Sequence, residues 1–191
     1  MKLKLDKKKI FGILAILLTV AFSLFVASVP NSFFTQYIGT ENIYLFMYLI
    51  ALVGSISTFA SIPYPLILIG LVGGGANPVY AGLASALGVV SADAFTFFAV
   101  QKGKVLLNEK LQKSVEYLGS LIEKYPKLVT PGLLLYGTCS PLSNDFAVIT
   151  FSLMKFPYLK VALPLAIGNI IYNITLAYYG SGVGSFILNL F

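Results

Sequence analysis

Lysine occurs in only three patches of this chain, at 2–9, 102–127 and 155–160, arginine is absent, and the long stretches between the patches are apolar. Basic residues near membrane segments stay on the cytoplasmic side. All three patches are therefore expected to face the cytoplasm, and the lysine-free connections at 30–42, 75–78 and 180–191 the opposite side. Each apolar stretch must obey that parity. Of the 191 residues 58% are hydrophobic and only 10% are charged, which suits a bilayer where a buried charge costs roughly 2.5–3.5 kcal/mol. The reading is an all-α integral membrane protein of one domain, 1–191. The net charge of +6 belongs to lysines that meet anionic headgroups, so no nucleic-acid partner is expected.

Residues 10–29 form an uncharged run of about the 20 residues that a helical crossing needs, expected as an N-terminal anchor running outward. A cleaved signal peptide is the rival, given the lysines before it and Ala27 and Ser28 near its end. The next apolar region, 43–75, cannot be a single crossing, because 79–100 would then carry the second lysine patch outside. A re-entrant hairpin resolves this, turning at 61–65 where Pro63 and Pro65 cannot both sit inside an unbroken helix. Segment 79–100 then crosses inward.

At 104–124 Leu107, Leu111, Val115, Leu118 and Ile122 recur at helical spacing among charged residues, the pattern of an amphipathic helix on the inner membrane surface or of a solvated connector. Beyond it, 128–138 enters the membrane, breaks at 139–144 around Ser140 and Pro141, and returns through 146–154. Segment 157–179 crosses outward, and the tail from 180 is expected to pack on the outer surface. The fold class is thus three spanning helices plus two oppositely oriented re-entrant hairpins.

The two halves, 43–100 and 128–180, form an inverted repeat: Gly88 precedes Asp93 as Gly168 precedes Asn173, and Pro63 and Pro141 mark the hairpin breaks. Inverted repeats with broken helices near the midplane build transporters, because backbone freed at the breaks must line a protein or water cavity.

The order of these features resembles the DedA (VTT, SNARE-associated) superfamily over residues 42–180. The resemblance rests on the Pro63-Tyr64-Pro65 break with its apolar arm ending in Gly70, on GVVSADAFTFFAVQKG at 88–103, on Pro141-Leu142-Ser143-Asn144-Asp145, and on Gly168-Asn169 to Tyr172-Asn173. It implies movement of lipids or polyprenyl-phosphate carriers across a membrane, by a transporter or scramblase whose partners are membrane lipids or a lipid-linked phosphate. The chain departs from the family in carrying Leu66 and Ile67 where an acidic residue often follows the first tip, and in having no arginine.

Two carboxylates fall in apolar surroundings, Asp93 in a crossing helix and Asp145 at the second break. An intramembrane ionisable residue is a site candidate by default, able to carry a proton or bind substrate. A structural role is open for each: a hydrogen bond from Asp93 to Ser91 or Asn173, and a helix cap from Asp145. Asn144 and Asn173 are expected to satisfy backbone at the breaks or to line the cavity. Lys155, beside the second hairpin, either assists or only sets topology, while Gly88 and Gly168 pack helices. Half-helix N-termini at the breaks suit an anionic headgroup such as phosphate. Without histidine, arginine, a metal motif or a nucleophile with a base nearby, neither enzymatic activity nor a metal or other cofactor is expected. A proton-coupled small-ion or solute transporter and a non-transporting assembly factor are the alternatives, and a homo-oligomer is compatible with the sequence.

Overall fold

In this computed structural model the described residues are 39, 42–56, 64–103, 117, 119, 120, 122, 124–139 and 144–188. They are helical, with no strand among them: α1 (Ile43–Ile56), α2 (Tyr64–Gly73), α3 (Pro78–Lys102), a 3-10 turn (Pro126–Leu128), α4 (Val129–Cys139), α5 (Asp145–Leu153) and α6 (Tyr158–Leu188). The expected anchor at 10–29, most of the connector at 104–124, and Pro63, Ser140 and Pro141 lie outside the described residues.

Two helices, Pro78–Lys102 and Tyr158–Gly180 within α6, are long and apolar enough to cross a membrane. Only 33% and 39% of their apolar windows are buried, so most of this surface faces outward. Leu159, Leu163, Ile167 and Ile171 make one exposed stripe at four-residue spacing on α6, which water would penalise and lipid would not. Over their described residues the other four α-helices, at 1.5 Å per residue, measure about 21, 15, 17 and 14 Å.

Local chemistry accounts for the helix ends. Asn77 caps α3 by accepting from the Val79 and Tyr80 amides, and Pro78 follows at the position where a missing N–H costs nothing. Pro65 is the second residue of α2, which narrows the expected break: Tyr64 and Pro65 belong to the returning helix, where a first-turn proline is tolerated. At the other end of α2 the Gly75 amide bonds to the Val72 carbonyl and the Ala76 amide to Leu71, with Gly75 at φ 96°. The end of α5 repeats this turn: Lys155 bonds to Ser152, Phe156 to Phe151, and Lys155 stands at φ 55°. Both are Schellman caps. The offset from Gly75 to Lys155 is also the offset from Gly88 to Gly168 and from Asp93 to Asn173.

The tail departs from expectation. Helix α6 does not stop near residue 179 but continues to Leu188, with Pro164 inside it. Gly180 is no terminator: it is buried, and a Cβ there would lie 2.8 Å from the Ile69 Cα of α2. It is a close-packing glycine within the helix.

Helices α3 and α6 run antiparallel through the centre. The first helix of each half packs on the long helix of its own half, α1 on α3 and α4 on α6, whereas the second crosses over, α2 onto α6 and α5 onto α3. Small residues permit this closeness, as in membrane bundles where packing rather than hydrophobicity joins helices. A Cβ on Gly88 would run into Tyr48 and Ala51 of α1, and one on Gly168 would lie 2.7 Å from the Leu134 carbonyl oxygen and 2.9 Å from the Gly137 Cα of α4. The two glycines expected to pack helices thus do so at equivalent joints of the two halves.

Each helix pair begins and ends at one end of the bundle. The Tyr44 hydroxyl at the start of α1 accepts from the Asn77 amide that follows α2, at 3.3 Å. At the opposite end Val129, which opens α4, packs on the same buried cluster as Phe156 and Tyr158, which follow α5. Lys102, Lys155 and Lys160 share that second end, as the chain directions of α3 and α6 require.

Candidate functional site

Along α3 the buried residues Ala81 and Val89 belong to one apolar cluster and Phe97 to another; along α6 Val161 and Leu165 belong to the second and Ala177 to the first. Between the two clusters each long helix contributes its polar residues, Asp93 from α3 and Asn169 and Asn173 from α6. Asp93 lies about 22 Å along the roughly 38 Å of α3, so the polar layer crosses the middle of the bundle.

The breaks bring further groups to this layer. Asn144, just before α5, makes no cap bond to that helix. Its Nδ2 instead donates to Asp93 Oδ2 at 2.9 Å and to Asn169 Oδ1 at 3.1 Å. Asp145, the first residue of α5, is 5% exposed and close enough to Asp93 for their charges to interact. From the other half Tyr64, the first residue of α2, sets its phenol against the Asn173 side chain. Asn173 Oδ1 also accepts from the Ser85 hydroxyl at 2.9 Å, and its Nδ2 donates to the Asn169 carbonyl at 2.8 Å. The arrangement is two-fold in kind: a residue at the start of each second helix reaches the polar residue of the long helix it crosses onto, Asn144 to Asp93 and Tyr64 to Asn173.

Several expectations change. Asp93 pairs with neither Ser91 nor Asn173. The Ser91 hydroxyl donates to the Leu87 carbonyl and accepts from Tyr48, while Asn173 is held by Ser85. Asn144 serves a side-chain network rather than the broken backbone, because α5 begins beside Asp93 and a carboxylate is the stronger acceptor. The N-terminus of α5, expected to suit an anion, already holds the carboxylate of Asp145 in its first turn. Lys155 ends α5 about 15 Å along its axis from Asp145, exposed at the lysine-bearing end. The structure therefore gathers Asp93, Asn144, Asp145 and Asn173 and leaves Lys155 apart.

Ser85 was not singled out by sequence, and Asn169 was noted there only beside Gly168, without a role in the site. The available signal was spacing, since Asn169 lies one helical turn before Asn173 and on the same face of α6. Asn169 is 4% exposed and its Nδ2 has no hydrogen-bond partner, a state that costs about 1–3 kcal/mol. The orientation follows from the network: Asn144 spends both hydrogens as donor, so Asn169 must offer its oxygen to Asn144, which strands its nitrogen.

Beside the layer a small cavity bounded by Asp93, Val90 and Phe97 of α3, Val148 of α5, and Tyr158, Val161 and Leu165 of α6 has room for about one water molecule. No group of three or more metal-ligating side chains occurs among the described residues. Comparison with protein-family models, with curated proteins and with solved structures finds no match for this chain.

Proposed function

We propose that the chain is a membrane transporter of the DedA type, moving a lipid or lipid-linked carrier between leaflets. The pairs α1/α2 and α4/α5 act as re-entrant hairpins that dip into the bilayer from opposite faces, α3 and α6 span it, and the lysine-bearing end faces the cytoplasm. The headgroup passes through the polar layer between the hairpin tips while the acyl chains stay in lipid. The observation that carries this reading is the network in which Asn144 joins Asp93 of one half to Asn169 of the other. A polar layer shared by two inverted halves at mid-depth is costly in a bilayer and serves a substrate path. Over their described residues none of the four hairpin helices reaches the ~30 Å of the hydrocarbon core, which supports the topology.

The pairing of two carboxylates in this layer favours a second reading, a proton-coupled transporter of a small ion or solute. Reconstitution separates the two. Liposomes containing the protein and tail-labelled fluorescent lipids are expected to show transbilayer lipid movement. Asp93→Asn should slow it by about tenfold or more, the equivalent of losing a charge-assisted hydrogen bond worth roughly 1.5–3 kcal/mol. Vesicles that move no lipid but carry a soluble substrate down an imposed pH gradient would favour the second reading, and inert vesicles would exclude both.

A further inference from the structure

We propose that the two halves share the work of transport unequally: the α1/α2 pair stands fixed while the α4/α5 pair moves, α5 swinging off α3 so that the polar layer opens toward the lysine-bearing end. The inference rests on the opposed-hairpin reading and adds to it which hairpin moves. Residues of the two halves correspond at the offset that separates Gly88 from Gly168, 80 positions. The joint of α2 on α6 can therefore be compared residue by residue with that of α5 on α3.

The α2 joint is apolar and close. Helix α2 buries Ile67, Leu68, Leu71 and Val72, and Gly180 lets α6 approach until a Cβ there would lie 2.8 Å from the Ile69 Cα. On the same side of the layer a Cβ on Gly82 of α3 would lie 2.8 Å from the Ile174 Cα of α6, so the long helices are drawn together as well. The α5 joint loses each of these features. Ala147, Val148 and Ser152 stand in place of Ile67, Leu68 and Val72, Val100 in place of Gly180, and Ala162 in place of Gly82. Of the apolar side chains of α5 only Val148 is buried. Phe97, in place of Ala177, returns part of the lost volume, yet Val148, Ala162 and Phe97 still border the apolar cavity beside Asp93, and an unfilled space forfeits dispersion attraction on its walls.

What holds α5 instead is polar. The Ser152 hydroxyl donates to the Phe97 carbonyl at 2.7 Å, and Asn144 Nδ2 to Asp93 Oδ2 at 2.9 Å. Such bonds exchange for bonds to water or to a headgroup at little net cost. Water entering the α2 joint would instead meet Leu68, Leu71, Val72 and Ala177, all buried and apolar, and find no partner. The α5 joint can thus open to a hydrated crevice where the α2 joint cannot. Chain direction puts that crevice at the end of Lys102, Lys155 and Lys160, and the movement carries Asn144 away from Asp93 and Asn169, which uncovers the layer.

The test measures opening independently of transport. Single cysteines are placed at matched positions, Val148→Cys with Leu68→Cys and Val161→Cys with Ala81→Cys, in Cys139→Ser protein. All four side chains are at most 2% exposed, so their rate of modification by a small charged thiol reagent in detergent reports opening. Val148→Cys and Val161→Cys are expected to react about tenfold faster than their counterparts. Ser152→Ala should speed the reaction of Val148→Cys about fivefold, the loss of one ordinary hydrogen bond. Hydrogen exchange of the unsubstituted protein makes the same comparison without a cysteine, and the amides of α5 should exchange about tenfold faster than those of α2. Equal rates in either pair, faster reaction at Leu68→Cys or Ala81→Cys, or equal protection of α2 and α5 overturns the proposal. If a variant fails to purify as a monodisperse species, the other pair and hydrogen exchange decide. The expected rate difference in a protein that moves no lipid in liposomes would keep the mobile hairpin and discard the transport reading.

Discussion

Glycine at positions 88 and 168 is required by contact rather than by backbone conformation, and substitution there separates packing from flexibility. Gly88→Ala would drive a methyl group into Tyr48 and Ala51, and Gly168→Ala into Leu134 and Gly137. Each should destabilise the protein by about 1–3 kcal/mol, the range for overpacking, seen as a lower melting temperature in detergent. Gly132→Ala is the matching control: nothing lies within 4 Å of the added methyl, and within α4 the change should stabilise by roughly 0.5–1 kcal/mol. Ser85→Ala would leave Asn173 Oδ1 without its donor at 0% exposure, a loss of about 1–3 kcal/mol by the same melting assay. Asp93, Asp145, Asn144 and Asn173 were legible in the sequence because polar side chains within or at the breaks of apolar runs stand out there. Their partners were not, because which polar groups meet depends on helix pairings that one sequence does not display. Asn144 was expected to satisfy backbone at the break or to line a cavity, yet the short reach from the start of α5 to α3 gives it to Asp93.

Helix limits followed largely from local chemistry. The two prolines that break the first apolar region, the break expected at 139–144 and the long apolar runs at 79–100 and 157–179 announce most of the helices found between Ile43 and Leu188. What local chemistry did not announce was the continuation of α6 through Gly180, where a glycine that reads as a terminator serves close contact with Ile69. Nor did it announce the matched turns after α2 and α5. In the second of these a lysine occupies a left-handed position that glycine fills at Gly75, at a cost of roughly 1–2 kcal/mol. Lys155→Gly should therefore raise stability by about 1 kcal/mol, read as a higher melting temperature, whereas Lys155→Val, with a β-branched side chain at φ 55°, should lower it. Phe156 and Phe151 pack edge to face at 5.3 Å across the turn, the apolar contact that accompanies such caps, so Phe156→Ala should also destabilise α5.

At the scale of the whole molecule, the proposed topology has the α1/α2 pair open toward one compartment and the α4/α5 pair toward the other, the arrangement expected from the lysine distribution and compatible with the pseudo-two-fold packing. The packing itself, with each second helix crossed onto the other half, lay beyond the sequence, since it depends on which small residues face each other across the bundle. It explains why the polar layer belongs to both halves at once, because separating α5 from α3 would strip Asp93 of Asn144 and separating α2 from α6 would remove Tyr64 from Asn173. The most direct test of the account is accessibility to a membrane-impermeant thiol reagent in sealed vesicles of both orientations. Single cysteines would be placed at Asn42 and Ala76, flanking the first pair, and at Tyr125 and Met154, flanking the second, with the one native cysteine, Cys139, changed to serine. Opposed hairpins predict that Asn42→Cys and Ala76→Cys react only from the outer face and that Tyr125→Cys and Met154→Cys react only from the cytoplasmic face. Reaction of Asn42→Cys and Ala76→Cys from opposite faces, or of all four from one face, would contradict it.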